Sequence, residues 1–164
     1  MKMHQMKKLA VVVAALGAVA MGAQVAQAAN TSGTFNVNIT LTSACTLGSV
    51  TAVAFAYTSL GGAATGTGGN FNVTCTNTLP YTFGLQAGSG AASPPGTSTI
   101  TVTDAAVALQ YQLGTSAAGG TGNGSAQAYT VTGTMAAAQS GTCATASCTN
   151  AASGNKVQTL IINY

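Results

Sequence analysis

Few side chains in this sequence could carry out chemistry. The 164 residues include a single acidic side chain, Asp104, a single histidine, His4, and four lysines. Acid–base catalysis needs groups that exchange protons near neutral pH, and metal catalysis needs a cluster of ligands. Asp104 follows a predicted strand at 99–103, where an acid usually caps a turn, and nothing in the sequence places Lys156 beside it. The sequence therefore predicts a protein that is not an enzyme, with no cofactor, no metal site and no small-molecule substrate.

The first 28 residues have the pattern of a secretion signal. A start with three lysines precedes the apolar stretch 9–21, and residues 26–28 (Ala-Gln-Ala) supply the small-x-small pattern of a signal peptidase site. We expect cleavage after Ala28. The alternative is an uncleaved membrane anchor, because residues 9–26 approach the ~18 apolar residues that cross a bilayer. The small-residue site favours a cleaved signal.

Removal of this leader changes the charge of the chain. Three of the four lysines and His4 lie in the leader, so residues 29–164 keep only Asp104 and Lys156 as charged side chains. No basic surface remains for nucleic acid or anionic lipid. A soluble monomer usually carries a net charge of roughly 2 to 8. The nearly neutral exported chain therefore favours a subunit whose working state is an assembly.

The four cysteines all follow the leader and indicate an oxidising compartment such as the periplasm. Four cysteines allow three disulfide pairings. Cys143 and Cys148 are close in the sequence and most simply close a small loop, which pairs Cys45 with Cys75. A zinc site is the alternative, but the exported chain has no histidine and no CxxC pair to support it.

Alternation of apolar and polar residues runs along most of the exported chain. The segment 34–41 alternates without a break, so Phe35, Val37, Ile39 and Leu41 share one side of an extended chain. Similar segments follow at 53–57, 71–75, 81–85, 100–102, 107–113, 129–131 and 157–164. About eight strands separated by turns with glycine and serine predict an all-β sandwich or barrel.

Three segments, 61–69, 87–96 and 114–127, consist mostly of Gly, Ala, Ser and Thr. Such segments have too little apolar content to pack, and we expect them to be surface connections, with flat contact faces as the alternative.

The sequence pattern does not determine which strand pairs with the first predicted strand, 34–41. Only three residues separate Leu41 from Cys45, and none of the dipeptides that return a strand as a tight hairpin follows it. From the pattern alone, a first strand in the chain's own sandwich is the ordinary interpretation.

Several segments together resemble the spore coat U domain, the subunit fold of archaic chaperone–usher pili. In chain order they are TSGTFNVNITLTSACTLG (31–48), VAFAY (53–57), GNFNVTCTNTLPYTFGLQAG (69–88), LQYQLGT (109–115) and VQTLIINY (157–164). The chain also departs from the family pattern. The family's Phe-Gly after an early strand is Phe55-Ala56 here, its usual tryptophan is absent, and the acid before its last strand is replaced around Gln158.

The resemblance implies an immunoglobulin-like β-sandwich that is incomplete and is completed by a donor strand from a neighbouring subunit. It divides the chain into a signal peptide (1–28), an N-terminal donor strand segment (29–44) and an incomplete pilin domain (45–164). A periplasmic chaperone would first fill the groove of this domain. At the outer-membrane usher, the donor segment of the next subunit would replace the chaperone.

The resemblance also implies roles for individual residues. Phe35, Val37, Ile39 and Leu41 would enter the groove of a neighbour, and the groove edge offered to the chaperone would fall on Leu160, Ile162 and Tyr164. The implied function is that of a structural subunit of a fimbria, a homopolymer or a polymer with other pilus subunits. It would be secreted through the periplasm to the cell surface and support adhesion and biofilm formation. The alternatives are a self-contained secreted β-sandwich that binds a surface or carbohydrate, and a spore-coat or matrix component.

Overall fold

The structure is a computed structural model that describes residues 30–89 and 95–164. The expected signal peptide, 1–28, lies outside the described residues. The chain divides into two units, Met1–Thr40 and Leu41–Tyr164. In the first unit, residues 30–40 form neither helix nor strand and are exposed.

The second unit is built from strands, and the described residues contain no helix. The strands are β1 (Cys45–Leu47), β2 (Val53–Ala54), β3 (Ala64–Thr65), β4 (Thr67–Gly68), β5 (Asn70–Cys75), β6 (Pro80–Ala87), β7 (Thr99–Thr103), β8 (Gln110–Thr115), β9 (Gly119–Thr121), β10 (Gln127–Met135) and β11 (Gln158–Asn163).

The strands form antiparallel sheets that face each other across one core. The largest sheet has the order β1-β5-β10-β8-β7, with β3 paired to β10. A second sheet has the order β11-β6-β9, and β2 pairs with β4. The predicted all-β sandwich is confirmed.

Alternating burial along the strands builds the core. In β5 and in the first half of β6, every second side chain is buried and the residues between them are exposed or half-buried. Each large apolar side chain that is fully buried contributes roughly 1.5–3 kcal/mol of transfer free energy. The core cluster contains Phe71, Val73, Cys75, Tyr81, Phe83, Leu85, Val102, Tyr111, Leu113, Val131 and Met135.

Two of the segments expected to be surface connections are paired strands instead, so that expectation is wrong there. The segment 61–69 contains β3 and β4, and 114–127 contains β9, which pairs with β6. Backbone hydrogen bonds do not depend on apolar side chains, and glycine allows the backbones to come close. At Gly119, which has φ 156°, an added Cβ would lie 2.1 Å from the carbonyl oxygen of Tyr81.

Two predicted strands each lose three residues at one end. The strand expected at 107–113 begins only at Gln110, because residues 104–109 form a turn in which Ala108 has φ 51°. The strand expected at 53–57 ends at Ala54.

Both disulfides join the pairs that the spacing favoured. Cys45 and Cys75 are opposite each other in the β1–β5 register, with their Cα atoms 4.1 Å apart. Cys143 and Cys148 close a short loop between β10 and β11, with a Cα separation of 5.7 Å. The first bridge fixes an edge strand to the core, and the second constrains a segment without strands.

Candidate binding groove

A groove of about 700 Å³ opens into the core of the second unit. One wall is formed by residues 50–55 and Tyr57, and the other by residues 156–158 and Leu160. Between the two walls, the groove extends to side chains of the core. The floor contains Leu85, Tyr111, Leu113, Val131 and Met135.

The groove borders a strand edge that pairs with none of the other described strands. Among the described residues, β11 pairs with β6 along its whole length and lies at the edge of its sheet. Such an edge presents backbone N–H and C=O groups that can pair with another chain. The groove therefore combines apolar side chains with unpaired backbone groups, the two features that an added strand would use.

Two aromatic side chains, Phe55 and Tyr57, form the wall opposite β11. The ring of Phe55 lies 5.6 Å from the ring of Tyr111. An added Cβ on Gly133 would lie 2.4 Å from the Phe55 ring, so a larger residue at 133 would displace it. The hydroxyl of Tyr57 accepts a hydrogen bond of 2.7 Å from the backbone N–H of Gln139. These contacts fix both aromatic rings of the wall.

The last strand is covered on both of its faces. Leu160 and Ile162 are half-buried and pack on the core cluster, whereas Tyr164 is 64% exposed. Ile161, on the opposite face, is the most buried residue of the strand. An added Cβ on Gly96 would lie 3.1 Å from its Cδ1 atom. Burial of Ile161 was not predicted from the sequence, although the consecutive apolar residues 160–162 are typical of a strand buried on both faces.

Residues 95–97 pack against the outer face of β6 and β11. Asn163 donates a hydrogen bond of 3.0 Å to the carbonyl oxygen of Pro95. The backbone of Thr97 pairs with that of Leu85 through two hydrogen bonds, of 2.7 and 2.9 Å. The described end of the segment 87–96 is therefore part of the packed domain, while residues 90–94 lie outside the described residues.

The apolar side chains of the segment 34–41 are open to solvent. Phe35, Val37, Ile39 and Leu41 are 70–86% exposed. Single exposed apolar residues are common, but a contiguous apolar group of this size usually marks an interaction surface.

Asp104 lines the groove and is nearly inaccessible, with 2% of its surface exposed. Its Oδ1 atom accepts hydrogen bonds from the backbone N–H groups of Ala106 (2.8 Å) and Val107 (3.2 Å). Its Oδ2 atom accepts one from the side-chain amide of Asn150, at 3.1 Å. Burial raises the pKa of Asp104, but these hydrogen bonds, with one from Ser153, outweigh it and hold the pKa below its usual value. The expected turn cap is present, and it is buried.

Residues 142–157, called the rim segment below, form one end of the groove. Cys148, Thr149 and Asn150 line it, and the described structure assigns no strand to this segment. The side chain of Asn155 donates to the carbonyl oxygen of Thr103 (2.7 Å) and accepts from the N–H of Ala105 (3.2 Å). The rim segment is therefore held by side chains that reach the turn after β7.

Two other polar residues lie at this end of the groove. The side-chain amide of Gln158 donates to the Tyr111 hydroxyl (3.1 Å) and to the Asn155 carbonyl oxygen (2.7 Å). Lys156 is exposed, and its ammonium group donates to the carbonyl oxygen of Ala151 at 2.7 Å. The structure thus brings Lys156 to the same groove as Asp104, which the sequence did not suggest.

The part of the chain that the structure describes lacks two kinds of feature. It holds no group of three or more His, Cys, Asp or Glu side chains placed to bind a metal ion. It also holds no helix that is long and apolar enough to cross a membrane.

Fold and groove together define a disulfide-bonded β-sandwich with an apolar groove beside a free strand edge. The Spore Coat Protein U domain matches residues 31–159, and the chain belongs to this family. The family is associated with pilus-like subunits of chaperone–usher systems, that is, with structural proteins of the cell surface. Neither a comparison with curated proteins nor one with solved structures found a match.

Proposed function

We propose that this chain is a structural subunit of a chaperone–usher fimbria that polymerises by donor-strand exchange. The observation that carries the proposal is the open groove beside the unpaired edge of β11. In the assembled fibre, the segment 34–41 of a second copy or of a related subunit fills this groove. The fibre is exported through the periplasm to the cell surface, where it supports adhesion and biofilm formation.

The chemistry of the donor segment fits the groove. An extended strand places every second side chain on one face, so Phe35, Val37, Ile39 and Leu41 reach the apolar floor together. The backbone of the strand pairs with the free edge of β11. Four apolar side chains at roughly 1.5–3 kcal/mol each give a gross gain of ~6–12 kcal/mol. The entropy lost on ordering the segment offsets part of this gain.

The domain boundaries and partners follow from the same proposal. Residues 1–28 are the signal peptide, 29–44 the donor strand segment and 45–164 the incomplete pilin domain. A periplasmic chaperone supplies a temporary strand along Leu160, Ile162 and Tyr164. The outer-membrane usher is the site where a donor segment replaces it. Replacement of one strand by another keeps the apolar floor covered throughout, so the exchange needs no external energy source.

The proposal predicts that Ile39→Asp stops polymerisation and leaves the fold of residues 45–164 intact. A carboxylate cannot enter an apolar groove without a large desolvation cost. Asn38→Asp is the matched control, because it adds the same charge on the opposite side of the donor strand and should still polymerise. The measurement is the ladder of heat-labile oligomers on an unboiled gel of periplasmic extracts, with and without the cognate chaperone.

Two results would contradict the proposal. Fibres formed by the Ile39→Asp variant would show that the segment 34–41 is not the donor. A stable wild-type monomer without chaperone would show that the domain is complete by itself, which is the self-contained β-sandwich that the sequence left as an alternative.

A further inference from the structure

The end of the groove at the rim segment is built differently from its other walls. Strand pairing and core packing hold the start of β11 and the segment 50–57 in place. The rim segment has no strand among its residues, yet Cys148, Thr149 and Asn150 line the groove. Its position therefore depends on side-chain hydrogen bonds and on the Cys143–Cys148 bridge.

Asp104 has more bonding capacity than its turn requires. One oxygen, Oδ1, is enough to cap the turn through the N–H groups of Ala106 and Val107. A neutral asparagine could make the same cap without the cost of a buried charge. The second oxygen, Oδ2, reaches out of the turn to the side-chain amide of Asn150, 46 residues along the chain. The charge is therefore explained by the contact with the rim segment rather than by the turn.

Three other contacts fix the rim segment to the same turn, and one of them is the hydrogen bond from Ser153 to Asp104. The backbone N–H of Thr142 donates to the carbonyl oxygen of Val107 at 2.7 Å, directly before the disulfide. Beyond the disulfide, Asn155 holds Thr103 and Ala105. The rim segment is thus attached on both sides of the bridge, and among these attachments Asn150 is the one that itself lines the groove.

We infer that Asp104 is a positioning residue that, through Asn150, holds the rim segment as the closed end of the groove and so determines the fit of the last apolar side chain of the incoming strand. This inference rests on the proposed function. It adds that the groove discriminates among strands at one end, through a polar contact that no donor residue touches.

The strand orientation identifies the donor residue concerned. Every strand pair in the described part of the chain is antiparallel, and antiparallel pairs are the more common kind in proteins. A donor antiparallel to β11 places its C-terminal end beside Gln158, where β11 begins next to the rim segment. Leu41 therefore lies at the rim, and Phe35 lies at the end marked by Tyr164.

The test uses the chain 29–164 with Ile39→Asp, which cannot polymerise, as the parent. The parent is refolded with a fluorescent peptide of residues 31–43, and the dissociation rate is measured after addition of excess unlabelled peptide. Asn150→Ala removes the contact between Asp104 and a groove-lining residue of the rim segment, at an exposed position, and leaves the cap of the Asp104 turn in place. The matched control is Asn123→Ala, since Asn123 caps an exposed turn at Ser125 and does not line the groove.

We expect Asn150→Ala to speed dissociation of the peptide about tenfold, the change that corresponds to one hydrogen bond, and Asn123→Ala to leave it unchanged. The effect should disappear with a Leu41→Ala peptide, because its side chain ends at Cβ and does not fill the rim end of the groove. It should persist with a Phe35→Ala peptide. Asp104→Asn should give a smaller increase, because the exposed Asn150 amide can rotate and accept a hydrogen bond from the new amide, although without the charge. Asp104→Asn combined with Asn150→Asp restores a donor–acceptor pair and should return the rate toward that of the parent.

The outcomes separate the inference from the proposed function. A parent that retains no peptide would overturn the proposed function and this inference with it. A parent that binds, with the Asn150→Ala variant indistinguishable from it, would overturn the inference alone. The same holds if Asn150→Ala speeds release of all three peptides equally, because that result indicates general destabilisation rather than a contact at Leu41.

Discussion

Two regions of the same core differ in what fills them. One is the aromatic cluster of Phe71, Tyr81, Phe83 and Tyr129. The ring centroid of Phe83 lies 4.7 Å from that of Tyr129 and 5.3 Å from that of Phe71, and the rings of each pair are steeply inclined to each other. The other is the groove, where the core floor remains open between residues 50–55 and the start of β11. The chain closes the first region with its own side chains. On the proposed function the second is filled by a partner, so stability and assembly would reside in different parts of one small domain.

The largest effect expected from this comparison is a difference between substitutions in the two regions. Phe83→Ala should lower the free energy of unfolding by about 3–5 kcal/mol whether or not the groove is filled. Leu160→Ala, at a half-buried groove position, should cost only about 1 kcal/mol in the empty domain and more when the peptide 31–43 is bound. Denaturant unfolding with and without the peptide measures both. Equal costs for Leu160→Ala in the two conditions would mean that the groove is not where the strand binds.

A smaller effect concerns the acid side of the stability curve. The folded pKa of Asp104 is lowered, so its ionised form stabilises the fold above the unfolded value of about 4. This contribution should be lost as the pH falls through the lower folded pKa. Because Asp104 is the only Asp or Glu side chain in the sequence, the decline between pH 5 and pH 2 should be much shallower in Asp104→Asn.

Denaturant unfolding at several pH values provides the measurement. The tyrosine near this carboxylate, Tyr111, does not titrate in the acid range of the measurement. Burial and the charge of Asp104 raise the pKa of Tyr111 further into the alkaline range. The same acid decline in both proteins would show that Asp104 is not its source.

The smallest effect expected is in the aromatic cluster. The Tyr81 hydroxyl lies 2.7 Å from that of Tyr129 and 3.0 Å from the side-chain oxygen of Gln127. Burial, then the contact with Tyr129, raises the pKa of Tyr81 to about 12. Its neutral form therefore stabilises the fold fully below pH ~10, and this contribution should fall as the pH rises toward the folded pKa. Tyr81→Phe should cost about 1 kcal/mol at pH 7 and remove this alkaline loss. Ultraviolet titration should show one fewer late-titrating tyrosine.

The aromatic cluster was more predictable from the sequence than the groove. Alternation alone places Phe71, Tyr81 and Phe83 inside, because a strand with one buried face repeats every two residues. Cysteine spacing led to both disulfide pairs. These features depend on residues close together in the chain or on a regular period.

The features that were missed depend on contacts between distant residues. Ile161 is buried because residues 95–97 cover the outer face of its strand, which alternation cannot indicate. β9 forms because backbone hydrogen bonds and Gly119 allow it, although its side chains carry no pattern. The second partner of Asp104, Asn150, lies 46 residues away in a segment without periodicity.

The Cys45–Cys75 bridge has a mechanical consequence for a fibre of such subunits. Only residues 42–44 separate Leu41, the last apolar residue of the proposed donor strand, from Cys45. The bridge connects that cysteine directly to β5 in the core. Tension applied through the donor strand therefore enters the next domain through a covalent bond. The force bypasses the three-residue strand β1, whose backbone hydrogen bonds would otherwise be the first to yield. On the proposed function, a shaft built in this way would break where a strand leaves its groove before its domains unfold.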